Sequence, residues 1–260
     1  MKLSDVNPYS FRNLRRTLGL DNPEYHDMVA RSRSNDSELC QEMVTAYGLS
    51  EEQVRHAAAR YRLGRSRSGK TIYWMIDHEG FVVDGLIGSD ASQPDCWVNS
   101  LLRRRYPALA DYLRPDHCLF GQHLLMSDVR WKKEDGRGSR NATLCPPTSP
   151  LSPQPSNISV VERMKSAVVL SELYPESLWM ATGYAANLRV ELLKPLQGRR
   201  VVLFPPTDST EDCYYAWMEV ADQARRCYGL DISVSAVLEE QCSPEQKSRH
   251  IDLVDYLFEQ

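Results

Sequence analysis

No apolar run in this chain approaches the roughly 20 residues that a membrane-spanning helix needs, which argues against an integral helical membrane protein. Cysteine is sparse: seven residues, at positions 40, 96, 118, 145, 213, 227 and 242, with no C-x-x-C pair. That spacing argues against a disulfide framework and against a zinc ribbon, so no zinc is expected, and it fits a reducing compartment. The opening Met1-Lys-Leu-Ser-Asp-Val has no signal-peptide apolar region, and the expectation is a cytoplasmic protein without membrane attachment. Internal repeats of solenoid period are also missing. Charge is not strongly of one sign, with a formal net of −4.

What is present is an ordinary globular composition, 42% hydrophobic and 25% charged over 260 residues, enough to bury a substantial core. The charge is unevenly placed. From Ile158 onward there are 10 Lys and Arg against 16 Asp and Glu, so the front carries 21 against 19. A mildly basic front beside an acidic back suits a nucleic-acid contact next to a carboxylate site. Lys132–Asn157 is polar and carries five prolines, a composition that cannot build a core. It divides the chain into an N-terminal α+β domain (1–131), a Pro/Ser-rich linker or insertion (132–157) and a C-terminal domain (158–260).

In the front part, Ser10 is placed to cap a short helix over 11–18. Leu39–Tyr47 has helical spacing and stops at Gly48. Ser50-Glu-Glu-Gln53 reads as a capping box opening a helix over Glu51–Tyr61. Residues 64–71 match G-x-x-x-x-G-K-[ST], but a phosphate loop needs a strand before it and a helix after it. The order is reversed: a helix precedes, and Thr71–Ile76 is β-branched and aromatic, hence a strand. The stretch reads instead as a basic hairpin tip, with Arg62, Arg65, Arg67 and Lys70 either contacting phosphates or forming a solvated turn. Asp77-His-Glu-Gly80 turns the chain into a return strand, Phe81–Ile87. Tyr73, Trp74 and Phe81 either stack on bases or pack the sheet. Trp97–Tyr106 is an amphipathic helix ending in Arg103, Arg104 and Arg105. His117, Cys118 and His123 match no standard zinc spacing, and satisfied histidines in a buried strand or turn are expected.

The back part alternates strand and helix: strands at Ile158–Val161, Leu178–Gly183, Arg199–Phe204 and Asp231–Val237, helices at Glu162–Glu172, Glu211–Tyr228 and Ile251–Leu257. Crossovers of this kind predict parallel pairing. Glu162 and Asp208 then stand at the carboxyl ends of two strands, where open α/β sheets place their sites. Lys165, one turn after Glu162, is placed to meet a phosphate or to pair with Glu162.

Val161-Glu162 followed by a helix, a strand closing on Gly183, and a strand running into Pro205-Pro206-Thr207-Asp208 resemble a Toprim domain. Arg60-Tyr-Arg-Leu-Gly64, Trp74-Met-Ile-Asp77, Cys118–Leu125, Val161-Glu-Arg-Met-Lys-Ser-Ala167 and Ala181-Thr-Gly183 resemble, more closely, a primase-like protein family of Bacteroidetes mobile elements. The resemblance implies a Toprim-like Rossmannoid, Mg²⁺ held by Glu162 and Asp208, and phosphodiester chemistry on DNA or RNA. It also implies replication proteins as partners. Two departures stand out. The zinc ribbon expected ahead of the shared region is missing, and the Pro-Asp-Thr-Asp of the family reads Pro205-Pro206-Thr207-Asp208. Proline offers no side-chain oxygen, so Pro206 weakens the magnesium site. Three readings follow: an accessory protein that binds single-stranded nucleic acid and carries a degenerate Toprim site; an active Mg²⁺-dependent primase or nuclease; and a protein-interaction module of a mobile element or defence system. Pro206 favours the first.

Overall fold

A computed structural model describes residues 23–88, 96–105, 107, 118–126 and 157–259. The expected helix over 11–18, His117 and the 132–156 stretch of the linker lie outside them. The fold is α/β, built from an antiparallel three-stranded sheet and a parallel four-stranded sheet.

Helices α1 (Pro23–Ser32), α2 (Glu38–Thr45) and α3 (Glu51–Arg60) lead into the first sheet, β1 (Gly64–Arg65), β2 (Thr71–Ile76) and β3 (Val82–Ile87). The expected capping box is formed: the Gln53 N–H donates to Ser50 Oγ and the Ser50 N–H to Gln53 Oε1. The rejected phosphate loop is a hairpin, with Arg65 opposite Thr71. All six residues of β2 are buried because both faces of the strand are covered. Ile72, Trp74 and Ile76 pack with Val29, Val82 and Val98, where helix α4 (Val98–Arg105) begins. Tyr73 and Met75 point the other way, toward the second sheet. That alternation is the period of two of a strand turned to good use on both sides. Tyr73 and Trp74 are 3% and 1% exposed, so the sheet presents neither as a base-stacking surface.

The second sheet contains β4 (Asn157–Val161), β5 (Ser177–Ala181), β6 (Arg200–Leu203) and β7 (Asp231–Val234), in the order β5-β4-β6-β7 and all parallel. Helix α5 (Met164–Leu173) covers one face; α6 (Val190–Leu193) and α7 (Asp212–Tyr228) cover the other. The helix expected from Glu162 starts two residues later, because Arg163 is extended (φ −86°, ψ 136°), which leaves Glu162 in the turn after β4. The strand expected through Val237 ends at Val234, where the sheet has no further neighbour to pair with, and Val237–Gln241 is helix α8. Short helices α9 (Pro244–Ser248) and α10 (Leu253–Phe258) close the chain.

One apolar core runs across both sheets. It joins Tyr61, Tyr73 and Phe120 to Met164, Trp179 and Ala181. Phe120 makes a β-bridge with Ala181 at the β5 edge, exchanging backbone bonds of 2.8 and 3.1 Å. The buried Tyr61 hydroxyl donates to the Trp179 carbonyl at 2.8 Å, and its ring stacks on Phe120 at 5.2 Å. Gly121 (φ 84°) allows this approach: a Cβ there would sit 3.1 Å from both the Trp179 oxygen and the Tyr61 ring. His123, in a 3₁₀ turn over Gln122–Leu125, departs from the expected satisfied histidine. Its Nε2–H faces the Arg60 carbonyl at 3.1 Å, but Nδ1 is buried without a partner among the described residues. Burial, together with the positive charge of Arg62, Arg60 and Arg33, pushes its pKa down to about 3.

Tyr61→Phe removes one buried hydrogen bond between the halves and leaves the Trp179 carbonyl without that donor. It is expected to cost about 1–2 kcal/mol in urea unfolding, with an unchanged m-value. An unchanged midpoint would show that the bond does not hold the halves together.

Candidate functional site

The parallel sheet has its switch point at β4, with β5 on one side and β6 on the other. Chains leaving β4 and β6 there run to opposite faces, which opens a crevice at the strand ends. Glu162 follows β4 directly, and Asp208 lies in the segment between β6 and the helix after it. Beside the crevice, a cleft of about 240 Å³ is lined by Tyr73, Leu86, Arg163, Met164, Lys165 and Gly183. Gly183 (φ 81°) is needed at the end of β5: a Cβ would come within 2.8 Å of Met164 Cε.

The two acids are in different electrostatic states. Glu162 is half-buried, and one oxygen accepts the Ala185 N–H at 2.9 Å. Burial raises its pKa, against the opposing pull of Arg163 and that N–H. Asp208 is 3% exposed. Its Oδ1 accepts the N–H groups of Thr210 (2.8 Å) and Asp212 (3.1 Å), and the Thr210 hydroxyl lies 2.8 Å away. Its Oδ2 accepts the Cys213 N–H at 2.7 Å. Burial works to raise the pKa of Asp208, but the Cys213 and Thr210 donors outweigh it and hold the carboxyl well below its usual range. The Cys213 thiol, pushed up by burial and by its hydrogen bond to Asp208, stays protonated.

Asp208 thus serves the first turn of α7, whose orphan N–H groups need acceptors and whose dipole favours a negative charge. A carboxylate has about four lone-pair sites; Oδ1 faces the Thr210 and Asp212 donors, and Oδ2 takes the Cys213 N–H. Mg²⁺ needs oxygens at roughly 2.0–2.1 Å in near-octahedral geometry. Asp208 already serves the helix donors, and position 206 is a buried proline. Glu162 contributes one oxygen not engaged by Ala185. No group of three or more His, Cys, Asp or Glu arranged for a metal occurs among the described residues.

The basic candidates also separate. Lys165 does not pair with Glu162. Its Nζ meets Glu42 Oε1 at 3.0 Å and lies 5.6 Å from the Tyr47 ring centre, tying α5 to α2. Arg65, Arg67 and Lys70 stand exposed on the hairpin, and Arg62 is half-buried at its base. The tip is held by Ser66 N–H to the Lys70 carbonyl (2.8 Å) and by Glu38 N–H to the Gly69 carbonyl (3.0 Å). Phe81 is half-buried beside the opposite turn.

The residue that sequence reasoning passed over is Arg163. Its guanidinium pairs with Asp255 and donates to the His250 carbonyl at 2.9 Å. Ser166 donates to the buried Asp252, which caps α10. This clasp fixes the C-terminal helix over the start of α5. Arg163 follows Glu162 directly, but adjacency gave no hint of partners some ninety positions away.

A family model described as a domain of unknown function (DUF6371) matches residues 149–207, taking in Glu162 and stopping one residue before Asp208. No curated protein matches the chain. Among solved structures, the chain is similar to the DnaG primase catalytic domain bound to ssDNA. The TM-score is 0.46 at 12% identity, over 97% of this chain and 86% of that one.

Asp208→Ala should lower stability at pH 7 by about 1–2 kcal/mol, the range for a lost N-cap. The folded-state pKa is depressed, so this contribution is present above the unfolded value near 3.9 and fades as pH falls through and below it. Thermal melts of both proteins from pH 7 to pH 2.5 should therefore converge on acidification. A gap independent of pH would show that the charge of the carboxylate is not what stabilises the helix.

Proposed function

We propose that this protein binds single-stranded nucleic acid as a primase-like accessory factor whose Toprim-type metal site is degenerate. The observation that carries the binding is the hairpin tip. Arg65, Arg67 and Lys70 are exposed, and none of them pairs with an acid among the described residues. By contrast, Arg163, Lys165, Arg225, Lys247 and Arg249 are each paired with a carboxylate. A cation row on a rigid two-stranded tip suits sequence-independent contact with phosphates. The engaged carboxylate of Asp208 and the proline at 206 support the degenerate reading over an active Mg²⁺ enzyme. The assignment to replication or to a mobile element rests on the sequence resemblance alone.

Affinity for a fluorescent single-stranded oligonucleotide should fall steeply with salt. Replacing Arg65, Arg67 and Lys70 by Ala should reduce the slope of log K against log salt by about 2, since each phosphate contact contributes roughly 0.7. Absent or salt-independent binding by the wild type would remove the proposal.

The metal reading is tested separately. Calorimetry of the protein without nucleic acid should give no saturable Mg²⁺ heat. Saturable binding that disappears in Glu162→Gln would restore the active enzyme.

A further inference from the structure

The cleft beside the strand ends is made by segments remote in the chain. Tyr73 and Leu86 are register partners on β2 and β3 and contribute one face of the antiparallel sheet. Arg163, Met164 and Lys165 come from the turn after β4 and the first residues of α5, and Gly183 lies just past β5. Tyr73 is the informative member. It is 3% exposed, and its ring packs edge-on against Phe120 at 5.7 Å. A buried tyrosine hydroxyl ordinarily finds a hydrogen-bond partner, as that of Tyr61 does at the Trp179 carbonyl. The Tyr73 hydroxyl has none among the described residues. It keeps the cost of its lost hydration, and an acceptor held in the cleft would relieve that cost.

Charge and size decide what that ligand is. Arg163 and Lys165 are already balanced by Asp255 and Glu42, so a phosphate would have to displace a carboxylate to gain their charge. Arginine has five N–H donors and lysine three, and the pairs with Asp255, the His250 carbonyl and Glu42 leave donors unused on both. Among the described residues no carboxylate, amide or histidine lines the cleft. Leu86 and Met164 supply apolar wall. A lining of donors and apolar carbon with little net charge favours a neutral ligand that carries acceptors on an apolar frame. The volume of about 240 Å³ falls below the roughly 300–1,000 Å³ of pockets for drug-sized ligands, which suits one ring system and not a whole nucleotide. A nucleobase meets these demands. Guanine meets them best, because its O6 and N7 acceptors stand side by side and form the edge that arginine and lysine bind most often. Lys70 of the hairpin tip precedes Tyr73 by three residues, about 10 Å of extended chain, so a strand on the tip has a base within reach of the cleft.

We propose that the cleft is a base pocket, which takes one guanine turned out of the single strand that the hairpin tip holds. Arg163 and Lys165 donate to its O6 and N7 edge, the Tyr73 hydroxyl completes the hydrogen bonds, and Leu86 and Met164 pack on the ring. This rests on the proposed single-strand binding and adds base selectivity to it.

The test measures binding by the full chain of a short fluorescent oligo(dT) in which one central thymine is replaced by guanine, adenine or cytosine. The guanine strand should bind about fivefold tighter or more than the others, the low end for a bidentate base contact. Tyr73→Phe should reduce that preference and leave the salt slope unchanged, because no phosphate contact is lost. Its melting temperature should stay level or rise, since the hydroxyl it removes has no partner to lose. Lys165→Gln should also reduce the preference, with a lower melting temperature from the broken pair with Glu42. A wild type that binds none of the strands would overturn the functional proposal itself. Equal affinity for all four strands would overturn the base pocket alone. A guanine preference that survives undiminished in both variants would do the same, and a preference for another base would overturn the assignment to guanine.

Discussion

A carboxylate can satisfy only so many partners, and at Asp208 that limit shapes the whole strand-end region. Its oxygens take the N–H groups of Thr210, Asp212 and Cys213 and thereby start α7. That helix buries Trp217, Ala221 and Ala224 against the face of the parallel sheet. The Trp217 indole in turn donates to the Ala185 carbonyl at 3.2 Å, and the Ala185 N–H holds Glu162. Capping and metal ligation compete for the same lone pairs, and in this fold capping holds them.

The second constraint is the shared core. Tyr61 and Phe120 dock onto β5, and Lys165 reaches Glu42 across the same boundary. Phe258 packs edge-on against Tyr47 at 4.9 Å, so the C-terminal helix also touches the front of the chain. The antiparallel sheet is therefore held against the carboxyl ends of the parallel strands, and the cleft between them is bounded by residues from both. The basic hairpin projects from that joint body.

Much of the fold was legible in local patterns. Thr71–Ile76 announced a strand by its β-branched and aromatic run, Ser50–Gln53 announced a helix start, and strand–helix alternation after 158 announced a parallel sheet. The reversed order of helix and strand around Gly64–Thr71 was enough to reject a phosphate loop. The candidate site was legible only in part. Glu162 and Asp208 could be placed at strand ends, because chain order decides that. Their chemical states could not, because these depend on donors that the turns 184–185 and 209–213 swing into reach. Lys165 illustrates the same limit: its partner lies 123 positions away in sequence, beyond any local spacing rule.

By itself, then, the amino-acid order determined the elements, their parallel pairing, the basic hairpin and a side chain without an oxygen at Pro206. These follow from backbone preferences and side-chain chemistry that act over a few residues. The tertiary structure alone decided that Asp208 serves as a cap and that Lys165 and Arg163 are clasps. Each of those outcomes depends on distances between segments remote in the chain, which are set only when the two sheets close on their common core.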